Sequence, residues 1–184
     1  ILFWSSNLSC PGGEFATTCK IKSISITGLE IFPTSRFTSS VADNDIKSNI
    51  VSHSDPSNVY FYWLNVGGAL VRKELYWRER PEEEIAMKAN VSSTGEVAVD
   101  DNYIYWTENV GSTGNLYRVP STGELPRTRQ LIASSTDSQI SQLKADGAGG
   151  VLYVADINII ICCEAVLHRV TPNGSGGFDT QVTS

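Results

Sequence analysis

The side chains best suited to chemistry are few in this chain. There are two histidines, His53 and His168, and four cysteines, Cys10, Cys19, Cys162 and Cys163. Structural zinc wants thiol pairs at C-x2-4-C spacing, and the cysteines do not provide it. His53 lies in "VSHSD", flanked by Ser52 and Asp55. A Ser-His-Asp triad is recognised by convergence in space rather than adjacency, and no G-x-S-x-G elbow is present to raise a nucleophile. Carboxylates offer more: Asp100, Asp101, Glu108, Asp146 and Asp156 recur where apolar stretches end. Hard cations such as calcium need several converging oxygens, and Asp100, Asn102 and Asp146 are candidates for a carboxylate-and-amide set. The competing role is turn capping by Asx side chains, and there is no D-x-D-x-D-G calcium loop. No catalytic residue, cofactor site or metal ligand is assigned on these grounds; calcium is the one cofactor the acidic residues would suit.

The cysteines point to a covalent staple. Cys10 and Cys19 close the short loop "CPGGEFATTC", which contains a Pro-Gly-Gly turn, and Cys162 and Cys163 are adjacent. Two local disulfides, Cys10–Cys19 and Cys162–Cys163, are one solution; free thiols or bonds to other chains are others. Three sequons, at Asn7, Asn90 and Asn173, could accept glycans in a secreted protein. With 14 basic and 20 acidic residues the chain carries a formal charge of −6, which disfavours nucleic acid as a partner. Its 184 residues are 41% hydrophobic and 18% charged, fitting an ordered domain with a real core. The longest apolar run, "INIIICC" from Ile157, is far shorter than a membrane helix requires. The first residue is Ile1, with no basic and apolar leader after it, so the expectation is a processed chain or a fragment of a longer one.

What must position these residues is β-structure. In "GEVAVDDNYIYWTENVGSTGNLYRVPSTGE", apolar side chains alternate at Val97 and Val99, at Ile104 and Trp106, and again at Leu116 and Val119, where the strict period breaks and predicts a bulge or strand end near Arg118. Turn formers separate the runs: Asp101-Asn102, Gly111 to Gly114, Ser121 to Gly123, and later Pro172 to Gly174. The same unit recurs. Aromatic strands "ILFWSS", "VYFYWLN", "NYIYWTE" and "GVLYVAD" align with Trp4, Trp63, Trp106 and Val154 as equivalents. Each is followed by a second strand ("CKIKSISITG", "ALVRKELYW", "GNLYRVPSTG", "VLHRVTPNG") and a third ("RFTSSVA", "EIAMKAN", "RQLIASS", "FDTQVTS"); three are preceded by another ("SNIVSHSD", "GEVAVDD", "SQLKADG"). The unit is thus four short strands, A to D, with boundaries near 1–45, 46–92, 93–136 and 137–184. "RERPEEEIAMKAN" is the one stretch that would also suit a helix start; the repeat makes it a C–D loop and strand D. In this frame Cys10, Cys19, Cys162 and Cys163 fall in B–C loops. His168 and Arg169 fall in a strand C with the histidine exposed, and Arg118 and Arg169 match, each able to pair with an acid of a neighbouring unit.

Four-stranded units of roughly 40 to 50 residues are the signature of β-propeller blades. "GEVAVDDNYIYWTE…GNLYRVPSTGE" resembles the YWTD-type propeller repeats of lipoprotein-receptor ectodomains, and is similar to bacterial repeats reading DDxxIYW and LxRVP. The likeness is strongest over residues 95–134; the tetrad itself appears as "YWTE" from Tyr105 to Glu108 and as "FWSS", "YWLN" and "YVAD" elsewhere. The resemblance implies an all-β propeller, six-bladed in that family, of which about four blades less one strand are present. The ring would be completed by further sequence, by a second copy, or by closing as four blades. Trp63, Trp106, Tyr105, Val97 and Val99 would form its structural core. An open ring exposes apolar blade faces larger than a soluble monomer usually shows, so the expected partner is another protein or more copies of the same one. The function expected is non-catalytic binding or self-assembly outside the cell; the alternatives are a metal-dependent lactonase-like or lyase-like propeller enzyme and a subunit of an extracellular filament.

Overall fold

The chain turns its alternating runs into antiparallel strand pairs. The computed structural model describes residues 2–5, 20–24, 34–38, 48–54, 58–65, 69–74, 83–87, 95–147, 149–159 and 162–182, with side chains from Ser48 onward except at Met87, 155–159 and 162–165. The first sheet has the order β1 (Leu2–Ser5), β2 (Lys20–Ile24), β3 (Thr34–Thr38). The second runs β4 (Val51–Ser54), β5 (Val59–Leu64), β6 (Ala69–Glu74), β7 (Glu83–Met87). The third runs β8 (Val97–Val99), β9 (Tyr103–Val110), β10 (Thr113–Pro120), β11 (Gln130–Ser135). The fourth runs β12 (Ser138–Ala145), β13 (Val151–Ile159), β14 (Cys162–Pro172), β15 (Phe178–Val182). Every neighbouring pair is antiparallel, and three of the sheets have four strands. Glu83–Met87 is strand, not helix, and among the described residues no helix is long and apolar enough to cross a membrane.

The third sheet is buried on both faces, which is why its sequence is apolar beyond simple alternation. One face carries Val97, Ile104, Trp106, Tyr117 and Val119 into a cluster with Tyr62, Leu64, Leu70, Ile85 and Ala86 of the second sheet. The other carries Ala98, Tyr105, Leu116 and Ile132 against Ile140, Leu143, Val151, Tyr153 and Val170 of the fourth. Second, third and fourth sheets therefore stack face to face in chain order. Each large side chain so enclosed contributes about 1.5–3 kcal/mol. Val99 is only partly buried at the edge of the first of these clusters. Phe61, Trp63, Ala69 and Val71 are buried on the remaining face of the second sheet.

Main-chain seams reinforce the stack. The Asn49 side-chain amide donates to Val97 O at 2.9 Å and accepts from Val97 N at 2.7 Å. Asn109 does the same to Ile140, donating at 2.7 Å and accepting at 2.9 Å. Each amide stands in for a peptide group and satisfies the main chain of the following unit's first strand. Gly114 makes room for the second seam, because a Cβ there would come within 2.8 Å of Ile140 N and Cγ1.

Three details differ from the expected layout. The irregularity near Arg118 lies in β11: Leu116 pairs with Ala133 and Tyr117 with Leu131, so Ile132 is the extra residue. The same shift recurs at Ile21/Lys22 and Leu70/Val71, which makes it a property of the unit. Second, the fourth-sheet equivalent of Trp106 is Tyr153, not Val154: Arg118 pairs with Tyr105, and Arg169 pairs with Leu152, one residue before Tyr153. Tyr153 stacks on His168 at 4.9 Å as Trp106 stacks on Tyr117 at 5.5 Å. Third, Cys162 and Cys163 open β14, opposite Ile159 and Asn158, and are not in a loop.

Candidate functional site

Among the described residues, two clefts at the sheet junctions each contain a polar atom without a hydrogen-bond partner. The first, about 290 Å³, lies between the second and third sheets and is lined by His53 of β4, Tyr60 and Tyr62 of β5, Arg72 of β6, Asp101, and the loop from Ser121 to Arg127. The strand pattern places these residues. Tyr60, Tyr62 and Arg72 share one face, since Tyr62 and Arg72 are cross-strand partners. Arg127 arrives from the β10–β11 loop, whose backbone is anchored to the second sheet by Arg127 N donating to Ile85 O at 2.8 Å.

The two arginines are held differently. Arg72 is ion-paired and hydrogen-bonded through Nε to Glu83 and lies over the Tyr60 ring, 5.0 Å from its centroid. Burial pulls its pKa down, but Glu83, Tyr62 and Tyr60 more than offset this and leave it above the usual arginine value. Arg127 is buried, and donates through Nη1 to Pro120 O at 3.0 Å and through Nη2 to Gly123 O at 3.3 Å, while its Nε has no partner. Burial, then the charge of Arg72, lower its pKa from the ordinary value. Tyr62 is pushed up by burial, partly countered by Arg72. At the rim, His53 Nε2 lies 3.4 Å from Asp101 Oδ1.

The second cleft, about 510 Å³, lies between the third and fourth sheets and is lined by Ser134, Ser135, Asp137, Ser138, Tyr153, His168 and Thr180. His168 is half-buried here rather than exposed, because the Tyr153 ring covers it; its Nδ1 has no partner and burial lowers its pKa.

Asp100, Glu108 and Asp146, singled out in the sequence, each have protein partners. Asp100 is buried and caps its own turn, Oδ1 accepting from Asn102 N at 2.9 Å and Tyr103 N at 2.7 Å, while Oδ2 accepts from the Tyr105 hydroxyl at 3.0 Å. Burial, then Asp100, drive the Tyr105 pKa far up. Glu108 is buried and accepts from Trp106 Nε1 at 2.9 Å. Asp146 binds Gly150 N at 3.0 Å and the Arg169 guanidinium at 2.9 Å. Asp156 pairs along β13 with Gln139 and Ala165. Among the described residues no three His, Cys, Asp or Glu side chains gather as a metal site. Arg169 thus finds its acid within its own sheet, whereas Arg118 reaches the neighbouring sheet through the Phe178 ring at 4.3 Å and Gly149 O at 3.5 Å, with no carboxylate paired to it among the described residues. Asn173 is bound into the β14–β15 turn, donating to Asp179 at 3.0 Å and accepting from Gly177 N at 2.9 Å. Asn7, Asn90, Cys10, Cys19 and Asp55 lie outside the described residues.

Sequence reasoning overlooked Arg72 and Arg127. Arg72 had a signal, since "VRK", "YRV" and "HRV" align the arginines of β6, β10 and β14. Arg127 had none, because its place depends on a loop docking onto another sheet. Comparison with protein-family models, with curated proteins and with solved structures gives no match for this chain.

Proposed function

We propose that the chain is a segment of a non-catalytic β-propeller of the YWTD-like kind, working outside the cell by binding or by assembly with further units of the same type. One observation carries this reading. In the third sheet Tyr105 and Leu116 are fully buried against the sheet that follows. In the fourth sheet the registers put Leu152 and Leu167 at those positions, and there Leu152 is half-buried and Leu167 is 39% exposed. A position that is apolar in both units but covered in only one is an unfinished blade contact. Its complement is another four-stranded unit, because that is what covers it one sheet earlier. The cysteines and sequons support an oxidising compartment. Sedimentation velocity over a wide concentration range tests the proposal: reversible or stable association is the expected result, and a monomer throughout would count against assembly through this face.

A further inference from the structure

We propose that the cleft between the second and third sheets is an oxyanion site, built to take a phosphate or sulfate group on Arg127 and Arg72. This goes beyond the assembly reading and stands on different residues.

Charge is the first reason. A buried arginine is normally paired, since leaving a guanidinium without a counter-charge is costly. Arg127 is only 9% exposed and meets two backbone carbonyls, with no carboxylate in ion-pair range among the described residues and with Nε unpartnered. Glu83, which could have served it, is engaged by Arg72. Two guanidiniums thus line one cleft, and of the two only Arg72 is ion-paired to a carboxylate among the described residues.

Shape and chemistry follow. The cleft volume of about 290 Å³ admits a tetrahedral oxyanion with room for its substituent. Guanidinium forks match such an ion better than any other side chain. Around them stand the hydroxyls of Tyr60, Tyr62 and Thr122. Among the described lining residues the carboxylate is Asp101, whose side chain is 90% exposed at the rim beside His53. Local burial weakens competition from water, which strengthens a charge-assisted bond here.

The test is calorimetric titration of the full chain with inorganic phosphate, sulfate and acetate at constant ionic strength set with chloride. Saturable binding of phosphate or sulfate is expected, with acetate at least about tenfold weaker because it offers fewer acceptor oxygens. Arg127→Gln should weaken the tetrahedral ions by at least about tenfold. Arg72→Lys, which keeps the charge and loses the fork, should weaken them less; it also carries the test if Arg127→Gln fails to fold. Absence of saturable heat, acetate binding as tightly as phosphate, or affinity unchanged in both variants would overturn the assignment. None of these outcomes depends on association through the fourth sheet, whose failure would show in sedimentation alone.

Discussion

Among single residues, the polar groups closed off by the stack decide most. The Tyr105 hydroxyl has Asp100 as its partner in a fully enclosed position. Tyr105→Phe removes the donor and leaves Asp100 its two backbone amides, so a loss of about 1–2 kcal/mol is expected in urea denaturation. Asp100→Ala strands those amides and the hydroxyl together and should cost more. His168 makes a different prediction. Burial under Tyr153 lowers its folded-state pKa below the ordinary 6.5. As pH falls through 6.5 toward the folded value, the unfolded chain takes up a proton that the folded chain resists. The stability tied to neutral His168 is therefore present above that window and lost below it. Urea midpoints at pH 7.5 and 5.5 should fall further for the parent chain than for His168→Gln, and equal slopes would refute this. (Those pH values are about one unit either side of the ordinary histidine range.)

At the scale of the elements, the seams between sheets matter more than any one strand. Asn109 supplies both a donor and an acceptor to Ile140. Asn109→Ala leaves an unpaired amide and carbonyl where water has poor access. The expected loss is about 1–3 kcal/mol, with faster hydrogen exchange at the Ile140 amide and little change in β-sheet circular dichroism. Unchanged exchange at Ile140 would show that the seam is not held by this side chain. Strand order within each unit was legible because period-two patterning and turn residues such as Asp101-Asn102 agree with each other. The slip of one residue in the fourth unit was not. The tyrosine of "GVLYVAD" was matched to Tyr105 when it occupies the place of Trp106, and opposite it Gln142 and Leu143 form a bulge with Gln142 at φ 51° that no turn former announces. His168 was misjudged because a histidine beside an arginine reads as surface, whereas ring stacking from Tyr153 closes over it. The first cleft was invisible in the sequence for a similar reason: three strands, the β8–β9 turn and one irregular loop make it, and the loop's contact with Ile85 brings Arg127 in.

For the molecule as a whole, the question is what limits a stack of sheets whose outer faces are made like its inner ones. The third sheet shows how a neighbour closes such a face: Tyr105 and Leu116 lose all contact with solvent when the fourth sheet packs on them. Leu152 and Leu167 hold the equivalent positions in the fourth sheet with less cover, and covering them fully would contribute at most about 1.5–3 kcal/mol each before the cost of association is subtracted. A charge placed there should act on assembly and spare the fold. Leu167 is already 39% exposed, so Leu167→Lys is expected to shift the urea midpoint little, since exposed substitutions usually stay within about 0.5 kcal/mol. Its effect on association should be at least about tenfold, because an ammonium would have to be desolvated against an apolar face. Leu116→Lys, at the equivalent covered position, is the contrast and should unfold the chain. If mass photometry on dilution shows the same association for the parent and Leu167→Lys while both remain folded, the fourth sheet does not carry the contact, and assembly through a blade face is the wrong account of this molecule.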